Sequence, residues 1–343
     1  MSERSDALEG ALVGKKTGFV LLFVGVFLLA LAALARFYAY DQLAVVPLDQ
    51  QSTTQSTTGD GDATYLNVAA EGGPAIETGP LESRRQVVGQ VEDSKKATDD
   101  LGEDVAVWDT LSYVAPPGFD PASGDPLSGT RDLVAFDRHT GAAVKWDGET
   151  TESAGVKDDV TFTGQYFKFP FNAQKKTYQF WDGSLRKATD ATFVDTDEID
   201  GLAVYKYEQK IPATKIAELA VPGSLVGEAS TPSVTADRMY ANTRTLWVEP
   251  ETGVIIKGQE DQLSTLAVDG ETKATITKAT LGYDDKTVSD TVDEYASRAS
   301  SLKAIRLYVP IGGLVLGVVL VAGGVVLLRR GRGAEVRGDH TAV

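Results

Sequence analysis

Two uncharged apolar segments near the ends of the chain limit what it can fold into. Gly18–Ala35 reads GFVLLFVGVFLLALAALA, and Leu307–Leu328 reads LYVPIGGLVLGVVLVAGGVVLL. At about 1.5 Å per residue each can cross a hydrocarbon core of about 30 Å as a helix, the first only just. The sequence therefore predicts a cytoplasmic N-terminus (1–17), a first transmembrane helix (18–35) and an extracytoplasmic domain (36–290). A juxtamembrane helix (291–306), a second transmembrane helix (307–328) and a cytoplasmic tail (329–343) follow.

Basic residues beside the spans set the orientation, because Lys and Arg resist translocation. Arg4, Lys15 and Lys16 precede the first span, and Arg329, Arg330, Arg332 and Arg337 follow the second. Both termini are expected inside the plasma membrane and the long middle outside, despite Arg36, Lys303 and Arg306 on that flank. Ala33-Leu34-Ala35 also spells a signal-peptide cleavage site, but the apolar run exceeds the usual h-region, which favours an uncleaved anchor. Phe37, Tyr38, Tyr40 and Tyr308 suit the interfacial aromatic belt. Gly313 and Gly317 form a G-x-x-x-G face on which the second span can pack against the first or against a copy of itself, giving a homo-oligomer.

Neither span holds an ionisable residue, so the two helices read as anchors in membrane lipid rather than as a proton relay. Cysteine is absent, which removes disulfides, thiolate metal sites and cysteine nucleophiles together. A net charge of −16 argues against nucleic acid as a partner. His139 is the one histidine between the spans and sits in a turn sequence; G-x-S-x-G and P-loop motifs are missing, so no enzyme and no cofactor are expected. The acidic stretch Asp195–Gly201 lacks the glycine and the bidentate Glu of a calcium loop and reads as a turn, leaving no metal site.

Between the spans, short β-branched and aromatic runs alternate with Gly, Pro and Asp clusters. The fold class is mainly β, an antiparallel sheet or barrel-like domain between two transmembrane α-helices. Expected strands are 86–91, 105–113, 133–137, 166–169, 177–181, 202–209, 244–249, 254–260 and 274–281. Residues 50–62, without apolar side chains, read as a polar linker. Ile211–Leu219 reads as a helix, and Ser289 or Asp290 as the cap of the helix that runs into the second span. One design occurs twice: Asp137-Arg-His-Thr-Gly141-Ala-Ala-Val-Lys145 echoes Glu249-Pro-Glu-Thr-Gly253-Val-Ile-Ile-Lys257. Both read as hairpin turns in which glycine supplies the positive φ.

The richest aromatic surface is Tyr166-Phe167-Lys168-Phe169-Pro-Phe171 followed by Tyr178-Gln-Phe180-Trp181. On strands, Phe167, Phe169 and Phe171 would share a face, as would Tyr178 and Phe180. They form either a sheet core or an apolar cavity for a hydrophobic envelope ligand, with Lys168 at its rim.

Phe136-Asp-Arg-His-Thr-Gly141, Phe167-Lys-Phe-Pro-Phe-Asn172, Lys176-Thr-Tyr-Gln179, Trp181-Asp-Gly183, Val221-Pro-Gly223 and Asn242–Gly253 resemble the actinobacterial porin PorA family, also described as a domain of unknown function. The resemblance covers nearly the whole chain, both spans included. It implies a cell-envelope protein of high-G+C Gram-positive bacteria and brings no catalytic residues. The Trp247–Gly253 hairpin also resembles a turn of periplasmic lipoprotein carriers with half-open barrels, and the two-anchor layout resembles scavenger-receptor ectodomains by topology alone. The first expectation is a non-enzymatic module that binds or passes a lipid-like molecule. The alternatives are a pore former built from several copies and an envelope assembly factor.

Overall fold

The structure, a computed structural model, describes residues 2–122 and 124–336, so Arg337 of the basic tail lies outside the described residues. Two compact units emerge, one from the terminal regions up to Ala44 and from Ser300, the other Val45–Ala299.

The terminal unit is an antiparallel pair of apolar helices, α1 (Ser2–Leu34) and, toward the C-terminus, a helix over Val309–Val336. Both are long and apolar enough to cross a membrane. Each carries a π-helical turn at one end of its apolar run, Ala35–Ala39 in one and Ala304–Tyr308 in the other. The second lies just before Pro310, whose missing N–H and ring disturb the helical ladder at the preceding turn. Glycines let the two backbones approach. A Cβ on Gly25 would stand 2.8 Å from the carbonyl oxygen of Gly317, and one on Gly324 would stand 2.7 Å from that of Gly18.

The second unit is one antiparallel sheet of fourteen strands. In chain order these are β1 (Gln51–Thr57), β2 (Ala63–Asn67), β3 (Ala75–Gly79), β4 (Glu82–Gly89), β5 (Val105–Ala115), β6 (Ser128–Asp137) and β7 (Thr150–Ser153). There follow β8 (Val156–Asp159), β9 (Tyr178–Asp182), β10 (Lys187–Ile199), β11 (Leu202–Val221), β12 (Val234–Val248), β13 (Ile255–Val268) and β14 (Glu271–Tyr283). The spatial order is β8-β7-β6-β5-β4-β1-β14-β13-β12-β11-β10-β9, with the β2–β3 hairpin joined to β14. The chain thus forms two meanders, and β1 joins them by pairing with β4 on one side and β14 on the other. As a ladder the sheet is open. Isolated bridges nonetheless draw its flanks together: Phe136 with Ala143, Ala142 with Gln165, and Gln165 with Phe180. The sheet therefore curls and acquires an inner and an outer face.

Apolar clusters fill both ends of the inner face. Trp108, Phe136, Val87 and Val46 meet at one end, joined by Phe169, Phe180, Tyr207, Leu246 and Val248; Ala63, Leu81, Ala279 and Leu281 meet toward the other. On the outer face, α2 being the short turn Tyr40–Leu43, helix α3 (Val91–Leu101) covers Val105 and Val107 through Ala97. The first part of α4 (Asp285–Lys303) covers Val204 and Ile256 through Val292. The apolar helix over Val309–Val336 is then α5.

Five local expectations differ from the structure. Gln51–Thr57, in the stretch read as a linker, is the strand β1, because its neighbours on the inner face are polar and a Ser/Thr strand matches them. Ile211–Leu219 is part of β11 and not a helix; bulges at Ile211/Thr214 and Lys215/Ala217 shift the side-chain alternation and imitate a helical period. The chain from Tyr166 to Phe171 makes no strand. The last helix of the sheet unit begins at Asp285, a turn before Ser289, since Asp284 Oδ1 accepts the Thr287 N–H at 2.7 Å. The Asp195–Ile199 stretch is strand, with the turn confined to Asp200-Gly201, both at positive φ.

Candidate functional site

The two echoing sequences fold into the same turn. Asp137 Oδ1 accepts the Thr140 N–H at 2.6 Å and its hydroxyl at 2.7 Å, while Glu249 Oε2 accepts the Thr252 N–H at 2.7 Å and its hydroxyl at 2.6 Å. In each, the glycine N–H donates to the carbonyl of the acid, Gly141 to Asp137 and Gly253 to Glu249. The acid's side chain thus satisfies the loop's own donors, as short polar side chains do in turns.

These turns grip the aromatic segment between them. Phe169, Asn172 and Ala173 donate their N–H groups to the carbonyls of Gly253, Glu251 and Pro250, and Phe171 donates to that of His139. Phe169 is fully buried, stacked on Tyr207 at 4.5 Å between centroids and on Phe180 at 5.6 Å. Phe167 and Phe171 pack on the Trp108–Phe136 cluster, and Trp181 on Phe162. Tyr178 is half-buried beside Phe169. Lys168 is only 4 % exposed, with Nζ 3.5 Å from the Phe171 ring centre and no hydrogen-bond acceptor. Burial pushes its ammonium well below the usual lysine range, against the pull of Glu249 and Asp137. The rings expected at a ligand face thus pack against one another and against the sheet. His139 lies in the first turn, Nε2 3.8 Å from Asp104. Gly313 and Gly317 face α1, a Cβ on the first standing 3.0 Å from Ala32 Cβ and one on the second 2.8 Å from Leu29 Cγ.

Between its apolar ends, the inner face carries a belt of polar and charged groups that the motif reading did not single out. On β12, Arg244 reaches three elements: Nε donates to Glu260 Oε1 at 2.7 Å, Nη1 to Gln209 Oε1 at 2.5 Å and to the Trp181 carbonyl at 3.1 Å, and Nη2 lies 3.3 Å from Asp182 Oδ2. Tyr240 donates to the same Asp182, and Asn242 and Gln262 donate to Glu260 Oε2. Burial acts to raise the Glu260 carboxyl, but Arg244 and the amide donors overcome it and hold it below its ordinary value. Facing strands continue the belt. Asp132 on β6 accepts from Tyr166 and Thr151, both at 2.5 Å, and Arg85 on β4 bonds Thr110 at 3.2 Å beneath the rings of Tyr166 and Phe167. The belt touches solvent, the Glu260 side chain being 28 % exposed. Strand alternation was the signal that could have found it: Ser52, Thr54, Ser56, Arg85, Thr110, Asp132, Arg244, Glu260 and Gln262 fall on the inward parity of their strands. Among the described residues, no group of three or more carboxylates and histidines is placed to hold a metal ion.

The outer face is unlike that of a membrane barrel. Lys206, Glu208 and Lys210 on β11, Lys257 and Asp261 on β13 and Lys278 on β14 point outward, where a lipid-facing wall would be apolar. The apolar helices are the parts with the character of spans.

The family model described as Porin PorA matches residues 17–326. The chain belongs to the Porin PorA family. A Porin PorA of Corynebacterium amycolatum is 26 % identical over 313 residues, covering 74 % of this chain and 78 % of that protein. A Porin PorA of Corynebacterium resistens is 25 % identical over 148 residues, covering 29 % of this chain and 36 % of its own length. The matched region takes in the apolar stretches of both helices and the whole sheet.

Proposed function

We propose that this PorA-family protein is a porin-like, non-enzymatic component of the cell envelope that gives small hydrophilic solutes a polar path. The observation that supports this most is the polar belt on the inner face of the curled sheet, reached by solvent at Glu260, where Arg85, Asp132, Asp182, Arg244 and Glu260 stand in place of the apolar lining that a container for lipid needs. The name of the Corynebacterium relatives points the same way.

The helix pair supplies the membrane anchor. It packs glycine against glycine and encloses no lumen, so conduction requires several copies assembled through their helices. Gly312 of α5, whose missing Cβ would meet nothing, leaves a small-residue position away from α1 for such contact. Lys15, Lys16, Arg329 and Arg330 flank the spans on one side, which favours cytoplasmic termini and an extracytoplasmic sheet at the plasma membrane. A lipid-like ligand is the lesser reading, because Phe167, Phe169, Phe171, Phe180 and Trp181 are engaged in packing.

Proteoliposomes loaded with a labelled sugar and a labelled large dextran test the proposal. Purified protein should release the sugar and retain the dextran. Retention of both by vesicles that carry folded protein would overturn it, and recovery of the sheet unit with a stoichiometric bound lipid would favour the lesser reading.

A further inference from the structure

Inside the polar belt the two arginines differ. Arg244 is saturated by Glu260, Asp182, Gln209 and a main-chain carbonyl. Among the described residues, half-buried Arg85 bonds only Thr110, through Nε; no carboxylate pairs with it, and both terminal amino groups stay open. Its plane is held by the rings of Tyr166 at 5.1 Å and Phe167 at 5.3 Å, which fix direction without neutralising charge.

The strand register surrounds this guanidinium with hydroxyls. Directly paired residues share a face, so the row Thr54–Arg85–Ser112–Thr130 runs across β1, β4, β5 and β6. The adjoining rows bring Ser52 and Thr110 on one side and Ser56 and Ser83 on the other. Tyr283 joins from β14, paired with Ser56, near Thr54 and within the field of Arg85. Asp132, the nearest acid by register, is turned to Tyr166 and Thr151. An unpaired, pre-oriented guanidinium fork ringed by small hydroxyl donors matches the planar or tetrahedral oxygens of an oxyanion, and it is set in a protein of net charge −16 that otherwise repels them.

We propose that Arg85, with the hydroxyls of Thr54, Ser112 and Tyr283, forms a binding site for the oxyanion group, carboxylate or phosphate, of a small hydrophilic solute. The site gives the polar path a preference for such solutes. It rests on the reading of the inner face as a solute-facing surface, but binding is measured in detergent, so its failure is distinguishable from failure to conduct.

The test is calorimetric titration of the full chain with sodium sulfate and with sodium phosphate at constant ionic strength in chloride. Wild type should bind both. Arg85→Gln should weaken binding at least about tenfold, Arg85→Lys less, and Arg131→Gln, at an exposed pair with Asp109, should leave it unchanged. Lack of binding by wild type, or undiminished binding by a folded Arg85→Gln, would overturn the proposal. Should Arg85→Gln not fold, phenylglyoxal labelling of wild type read by mass spectrometry decides. Sulfate should slow the labelling of Arg85 several-fold, and an unchanged rate would refute the site.

Discussion

Single residues hold the two turns in place, and the most demanding is Gly253. It sits at φ +73°, and a Cβ there would stand 2.0 Å from the Phe169 carbonyl oxygen. Gly270, at φ +80°, faces open space. Gly253→Ala should therefore cost about 3 kcal/mol or more, through backbone strain plus displacement of the aromatic segment, while Gly270→Ala should cost about 1 kcal/mol. Urea unfolding of the two variants checks this, and equal losses would deny the grip of the second turn on Phe169. Glu149, 3 % exposed with Oε2 lacking a partner, is the clearest pH-sensitive group. Burial raises its carboxyl to about 7 from 4.5, against the hydrogen bonds from Ala135, Trp146 and Phe162. The fold thus favours the protonated acid: stability is full below pH 4.5 and lost as pH rises through 7. Glu149→Gln should match wild type at pH 4.5 and exceed it at pH 8 by on the order of 2 kcal/mol after allowing for screening. Paired melting curves at the two pH values report the difference, and a gap that does not widen would exclude this group as the cause. The repeated acid–Thr-Gly turns were legible because every bond in them is local. The burial of Lys168 was not, because it follows from two turns more than a hundred residues apart closing on one segment.

At the scale of elements, periodicity succeeded where the environment is one-sided and failed where the structure breaks the period. The apolar helices and the strands at 105–113, 244–249 and 274–281 were legible from composition and alternation. The polar β1 was not, because a rule that seeks apolar residues on the buried face assumes an apolar interior, and Thr54 and Ser56 here face Arg85 and Tyr283. The β11 stretch failed for the opposite reason, since its bulges mimic a helix. The helix pair offers a direct test. Ala32 Cβ lies 3.0 Å from the Cβ position of Gly313, close to disulfide reach, and the protein has no cysteine of its own. Ala32→Cys with Gly313→Cys should oxidise to an intramolecular disulfide in membranes. Adding Gly317→Leu, which collides with Leu29 and the Gly25 carbonyl, should reduce its yield several-fold. Disulfides found solely between copies would show that this glycine face joins different chains.

At the scale of the whole molecule, family and fold class were readable from long matched motifs, whereas the polar belt required the order in which the strands pair. Neither the meander β4–β8 nor the meander β9–β14 forms a lined surface alone; β1 between them and the bridges through Gln165 bring Arg85, Asp132, Arg244 and Glu260 onto one inner face. That arrangement, together with a charged outer face and two apolar helices, is why a polar path served by several anchored copies accounts for the chain better than a single membrane barrel. Planar-bilayer recording with purified full-length protein tests this most directly. The account predicts discrete, reproducible conductance steps that appear with a greater than first-order dependence on protein concentration; a silent bilayer at high load of folded protein would contradict it.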